Sequence, residues 1–216
     1  MIKKFIYIVL FVIGFTNQVF SQTCGPSCPA CSGSADGSLT PFKSLSIQGM
    51  YIPDGEEEVG IMTLRYGALE WLDLGVGYTF KSEQIIWNAR IQALKQDTKI
   101  WKPGLVIGTG SIRTGSSDQS IYANFLKTIE VSENFETSFS AGLATLSSDF
   151  GKIYGIGNVS LIFYDKVTVY ANFDGISFHE GIAWSVNDWL STGVMLVESK
   201  DFAVTVKITK PLFKSE

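Results

Sequence analysis

The sequence predicts an all-β protein, an antiparallel up-and-down transmembrane β-barrel of about 12 strands, preceded by a signal peptide and a flexible leader. Three observations carry this prediction. Apolar and polar residues alternate with a period of two along most of the chain. Each such run is about 9–12 residues long, the length that a tilted strand needs to cross a bilayer. An apolar segment at the N-terminus has the form of an export signal.

Residues 1–21 are predicted to be a cleaved signal peptide. Two lysines precede the apolar run Phe5–Phe15, and the small residue Ser21 precedes Gln22, the expected first residue of the mature chain. A retained transmembrane helix would need about 20 apolar residues, and this run is about half that length. We therefore expect the protein to be exported.

Residues 22–41 are rich in Gly, Ser, Pro and Cys, a composition typical of a flexible leader. Its cysteines, Cys24, Cys28 and Cys31, predict one disulfide and an odd thiol, or a bridge to another chain, in an oxidising compartment. A redox C-x-x-C motif would need the start of a helix in a βαβ fold, which the sequence does not predict. A cross-linked tail without a metal is the favoured interpretation.

The barrel is predicted to occupy residues 42–213. In the run 71–81, for example, Leu74, Val76 and Tyr78 alternate with Gly and polar residues. An even strand number places both termini on the same side of a bacterial outer membrane, the periplasmic side. The predicted strands are 42–52, 59–67, 71–81, 85–95, 104–113, 120–131, 136–146, 153–164, 166–174, 176–186, 189–198 and 202–213.

Two of the predicted turns resemble each other. Each has an acidic residue followed by Trp and Leu, with Trp71 in one turn and Trp189 in the other. Both rings stand at the start of a strand, where the aromatic girdle of a membrane barrel lies. We therefore expect Trp71 and Trp189 to be interface aromatics.

If the apolar face points outward, the opposite face lines the lumen with polar residues that either border a water-filled path or pair with each other and plug it. In an open path, Arg65, Arg90 and Lys207 would favour anions. Alternatively, these cations pair with Asp73 or Asp174. The predicted lumen-lining residues are Arg65, Asn88, Arg90, Gln92, Asn124, Asn158, Asn172, His179 and Lys207, together with Gln48 and Tyr170.

Several function classes are disfavoured. The formal net charge of −4 and the lack of a basic cluster argue against nucleic-acid binding. His179 is the only histidine, and Ser177 shares its predicted face, but a hydrolase would also need an orienting group and an oxyanion hole. A single histidine without neighbouring ligands is also a poor metal site. We expect a non-enzymatic protein without cofactor or metal.

The export signal, the alternating strands, the Trp-Leu turns and Phe213 near the C-terminus resemble a Gram-negative outer-membrane β-barrel protein. Residues 103–108 and 122–127 are similar to a stretch of YjbH-type exopolysaccharide-associated barrels. Residues 214–216 depart from the pattern, because the assembly signal usually ends on the aromatic. The resemblance implies an outer-membrane location, lipid as the surrounding partner, and a porin-like channel or a cell-envelope component of polysaccharide export, with other envelope or export proteins as candidate partners.

The alternative interpretation is a soluble secreted β-barrel that binds a small apolar ligand. Such a barrel would turn its apolar residues inward and its charged residues outward. Here the residues that alternate with Leu, Val and Phe are mostly Gly, Ser, Thr and Asn, with few charges. That composition favours a lumen over a solvent-exposed surface.

Overall fold

Twelve antiparallel strands form one closed barrel, as the sequence predicts. The computed structural model describes residues 39–97 and 101–212. Each strand pairs with its neighbours along the chain, and β1 closes the barrel against β12. The strands are β1 Ser44–Tyr51, β2 Gly60–Leu69, β3 Leu72–Thr79, β4 Ile85–Leu94, β5 Gly104–Gly110, β6 Ser120–Ser132, β7 Phe135–Leu146, β8 Asp149–Phe163, β9 Val167–Phe173, β10 Phe178–Asn187, β11 Leu190–Val197 and β12 Asp201–Pro211.

We call the end at which β1 begins and β12 ends the inner end, and the opposite end the outer end. Within residues 39–97 and 101–212, no helix is long and apolar enough to cross a membrane. The predicted signal peptide, the three cysteines and Phe213 lie outside the residues that the structure describes. Those expectations stay predictions.

Side chains alternate between the two faces of the wall. On β3, Asp73 and Thr79 are fully buried, whereas Leu74 and Tyr78 on the other face are exposed. In a closed barrel the buried face is the inner one, because the wall itself screens it from solvent. Exposed outward residues include Leu64, Trp87, Ile107, Ile121, Phe125, Leu143, Val159, Val169, Ile182, Val194 and Phe202. This polarity is the reverse of that in a soluble barrel.

The interior contains two apolar clusters as well as buried polar residues. The first cluster is formed by residues of β1, β2 and β9–β12. The second is formed by residues of β5–β8, together with Ile112 in the loop between β5 and β6. Large inner side chains lie over glycines of neighbouring strands, so that a Cβ added at Gly108 would lie 2.6 Å from the Tyr122 hydroxyl. Gly181 stands in the same relation to Tyr170. Glycine at these positions lets an aromatic ring lie flat against the wall.

Most strand ends lie within two residues of the sequence prediction, and two boundaries differ by more. β5 ends at Gly110 rather than at 113, because Gly110 has a φ of 146° and a Cβ there would lie 2.3 Å from the Asn88 side-chain oxygen. The chain turns inward at that point. β8 begins at Asp149 rather than at 153, because the β7–β8 hairpin stays paired up to Leu146 and Asp149. β8 pairs with β9 only from Gly157 onward, so residues 149–156 extend past the end of β9.

Candidate functional site

The candidate site is the barrel interior with its two ends. Gln92 and Lys207 are half-buried on the inner face, where Lys207 lies directly opposite Gln48 in the β1–β12 register. Asn158 pairs with Asn172, which in turn pairs with His179 on the next strand. The other polar residues predicted for the lumen are buried within the barrel: Gln48, Arg65, Asn88, Arg90, Asn124, Asn158, Tyr170, Asn172 and His179.

Arg90 and Asp73 form a buried ion pair between β4 and β3. The Arg90 Nε donates to Asp73 Oδ1 at 2.9 Å, and Nη2 contacts Oδ2, so the two charges meet through two parallel hydrogen bonds. The side chains are only 4% and 0% exposed. Bidentate pairs of this kind are among the stronger polar contacts in proteins. Of the two interpretations of the inner cations, the structure therefore supports pairing for Arg90: its guanidinium is bound to the Asp73 carboxylate.

A loop crosses the outer end of the barrel. This mouth loop, residues 111–119, joins β5 to β6, on the side of the barrel opposite β11 and β12. The Thr114 backbone N–H donates to Asp174 Oδ2 at 3.1 Å. A Cβ added at Gly115 would lie 3.3 Å from Ile52 and 3.4 Å from Val197, both on the far side of the opening. The loop therefore narrows the outer end.

Asp174 holds the mouth loop through a buried network. Its Oδ2 also bonds His179 Nε2 at 2.9 Å, and the Glu198 N–H donates to His179 Nδ1 at 3.0 Å, so the imidazole proton lies on Nε2. The Asp174 Oδ1 accepts the N–H groups of Ile176 and Ser177. Burial acts to raise the pKa of Asp174, but the hydrogen bonds from His179 and these N–H groups outweigh it and lower the pKa. The Asp174 carboxylate is therefore ionised at neutral pH, where its lowered pKa contributes to stability.

Arg113 carries a positive charge on the mouth loop. Its Nη2 donates to Glu57 Oε1 at 2.8 Å, which ties this loop to the β1–β2 loop, and Asp118 lies 3.6 Å from Nη1. Burial acts to lower the pKa of Arg113, but the hydrogen bond and charge of Glu57, with Asp174 and Asp118 nearby, raise it. The sequence interpretation missed Arg113. The signal for it is that Arg113 is the one charged residue between Gly110 and Gly115.

The two predicted interface tryptophans lie in turns at the inner end. Trp71 is half-exposed, and Trp189 is partly covered by Lys210, whose Nζ lies 4.8 Å from the ring centroid. Trp101, which is 79% exposed, lies at the same end between β4 and β5. Amphipathic rings at the end of a barrel match the depth of a membrane–water interface.

The serine–histidine pair considered from the sequence does not form. The Ser177 Oγ donates to Glu198 Oε1 at 3.3 Å, and both ring nitrogens of His179 are occupied by Asp174 and the Glu198 N–H. Among the described residues, no group of three or more His, Cys, Asp or Glu is arranged to hold a metal ion. Ser177 and His179 therefore each form hydrogen bonds to the segments at the outer end of the barrel.

Comparison with solved structures places this architecture among known barrels. The KdgM porin matches with a TM-score of 0.51 at 11% identity over 79% of this chain and 99% of its own. Its complex with disordered oligogalacturonate matches with a TM-score of 0.54 at 12% identity over the same shares. The fold is that of an outer-membrane porin.

The outer membrane protein Omp33 of Acinetobacter baumannii aligns with 81% of this chain and 100% of its own at 9% identity, with a TM-score of 0.46. No protein-family model matches the chain, and no curated protein matches it in sequence. The similarity to porins is therefore one of fold.

Proposed function

We propose that this protein is a narrow outer-membrane channel through which small hydrophilic solutes diffuse. One observation carries the proposal: the closed barrel turns an apolar face outward, whereas its inner face carries polar and charged side chains beside two apolar clusters. The outward face suits lipid, and the inner face suits water and solutes. The inner ion pair and the amide side chains have no evident use in a soluble carrier of apolar ligands.

The inner charges favour anions. Arg65, Arg90 and Lys207 lie on the inner face, and Asp73, next to Arg90, is the only buried carboxylate in the described strands. The buried carboxylates Glu58 and Asp174 lie in loops at the outer end. A surplus of cations in a narrow path attracts anions and repels cations. The complex of the KdgM porin contains oligogalacturonate, an acidic sugar oligomer. Short acidic sugars are therefore the first solutes to test with this chain.

The conductance should be small. Inner side chains such as Asn124 and Thr205 are fully buried, and the mouth loop crosses the outer end. Solutes therefore pass only when inner side chains or the ends of the barrel move. The test is to record currents across planar bilayers that contain the mature protein refolded in detergent. The channel proposal is contradicted if neither the folded wild-type protein nor any folded variant of the end loops carries a current.

A second role is as a component of an envelope or polysaccharide-export assembly. The β7–β8 hairpin favours it, since its β8 arm extends past the end of β9 and carries Phe150 and Ile153, each 71% exposed. Exposed apolar side chains outside the lipid-facing band are typical of contacts with another protein. This role would be favoured if the folded protein is silent in bilayers but retains a partner from envelope extracts, and if Phe150→Ser together with Ile153→Ser abolishes that retention.

Replacing one inner cation should change ion selectivity. We expect Lys207→Glu to lower the anion-to-cation permeability ratio, because it exchanges a positive charge on the inner face for a negative one. The measurement is the reversal potential in a salt gradient. Lys210→Glu is the matched control, since Lys210 lies outside the barrel against Trp189. An equal shift in both variants would show a surface-charge effect rather than lumen selectivity.

Displacing the mouth loop should raise the conductance. Gly115 has a φ of 77° and lies against Ile52 and Val197, so Gly115→Val brings both backbone strain and a clash. We expect a higher single-channel conductance. Gly151→Val serves as the control, because nothing lies within 4 Å of a Cβ there. Unchanged conductance in a folded Gly115→Val protein would show that the mouth loop does not limit the current.

A further inference from the structure

We infer that residues 39–42, which we call the inner strap, form a built-in closure of the inner end of the lumen. The inference depends on the proposed channel function in one respect: the closure is taken to regulate passage through that channel. At the start of β1 the chain reverses: the Ser44 N–H donates to the Pro41 carbonyl at 3.0 Å, and Lys43 has a φ of 57°. This turn directs the strap into the barrel instead of away from it.

The strap contacts the barrel wall at Gly67 on β2. A Cβ added at Gly67 would lie 2.0 Å from the Pro41 carbonyl oxygen and 2.6 Å from that of Thr40. Phe42 forms a bridge with Gly67, and the Lys43 N–H donates to the Gly67 carbonyl at 2.8 Å. Glycine is therefore required here for the close approach of two backbones.

The strap is anchored at two separate places on the barrel wall. Thr40 is buried, and its backbone N–H donates at 2.8 Å to Oδ2 of Asp73 on β3, the carboxylate that Arg90 holds in place. Leu39 packs against the apolar cluster of β5–β8. A strap with a polar anchor on β3 and an apolar anchor on β5–β8 lies inside the lumen between these two parts of the wall. A simple lead into β1 would need neither anchor.

The test measures access to the lumen from the inner end. Ser46→Cys places a thiol on the inner face of β1, one inward position deeper than Gly67. The background carries Ser in place of Cys24, Cys28 and Cys31. The full mature chain is refolded in vesicles and treated with a membrane-impermeant maleimide, and the labelling rate of the new thiol is followed.

The first comparison removes one hydrogen bond of the strap. Thr40→Pro removes the backbone N–H that Asp73 accepts, whereas Thr40→Val keeps that N–H and nearly the same shape. We expect Thr40→Pro to label about tenfold faster than Thr40→Val, the change that follows from losing a hydrogen bond to a charged group. Equal labelling rates in folded proteins would count against the strap.

The second comparison changes the contact site on the wall, Gly67, and leaves the residues of the strap unchanged. Gly67→Val should expel the strap and speed labelling, and Gly77→Val is the control, since a Cβ at Gly77 meets its nearest neighbours at an ordinary 3.5 Å. If Thr40→Pro and Gly67→Val both fold and label at the rates of their controls, the inference is overturned. It is overturned as well if neither variant folds, because the strap is then part of the wall.

Conductance separates this inference from the channel proposal. Faster labelling together with a larger current supports both. Faster labelling without current in any variant supports the strap as a closure and contradicts the channel. Unchanged labelling contradicts the strap, whatever the current.

Discussion

Asp73→Asn should destabilise the folded barrel by about 3–5 kcal/mol, the typical cost of leaving one partner of a buried ion pair without its counter-charge. The variant leaves the Arg90 guanidinium in an interior where its side chain is 4% exposed. The asparagine oxygen can still accept the Thr40 N–H, so the loss is mainly that of the counter-charge. The measurement is the unfolding free energy in urea for the protein in lipid vesicles.

Two further variants show that the charge is the cause. Adding Arg90→Gln to Asp73→Asn should recover most of the lost stability, because the double variant no longer buries the Arg90 guanidinium without its counter-charge. Glu56→Gln breaks the exposed ion pair with Lys200, whose side chains are 77% and 55% exposed, and should leave the unfolding free energy unchanged. If Asp73→Asn is as mild as Glu56→Gln, water reaches the Arg90 guanidinium in the folded protein.

Val76→Arg should destabilise the barrel in a bilayer by about 2–4 kcal/mol, because it places a charge on the lipid face near the middle of β3. Val76 lies beside Leu64 and Trp87, and all three belong to the apolar outward face. The cost of such a substitution falls to about 0–1 kcal/mol near the interfaces. Folded yield and urea unfolding in vesicles measure it.

Leu69→Arg is the matched control for depth. Leu69 is an exposed apolar residue of the neighbouring strand, but it lies at the inner end, next to the turn that carries Trp71. We expect a small effect there. Equal tolerance of both substitutions would contradict a lipid-facing wall and favour the soluble barrel. A larger effect for Leu69→Arg would show that the predicted depth of β3 is wrong.

The twelve-stranded barrel could be predicted because its evidence is local. Neighbouring residues of a strand point to opposite faces, so the alternation around Val76 shows which side chains share a face without any knowledge of partners. The boundaries failed at Gly110 and Asp149, where pairing with another strand and contact with Asn88 decide where a strand ends. A pattern within one strand contains no information about those contacts.

The candidate site was only partly predictable. Polar residues such as Asn158 and His179 could be assigned to the inner face from alternation alone, and the structure buries them. Whether Arg90 pairs with Asp73 could be stated only as an alternative, because 17 residues separate the two along the chain. Their meeting depends on the β3–β4 register, which places them directly opposite each other.

The sequence by itself therefore determined the class of fold, the number of strands and the faces on which the polar and apolar side chains lie. Only the tertiary structure decided what fills the two ends of the barrel. The mouth loop reaches Asp174 over 60 residues of chain, and the strap reaches Asp73 over 33. The physical reason is that side-chain alternation follows from the geometry of a single strand, whereas contacts across a lumen exist only after β1 has paired with β12 and brought distant segments together.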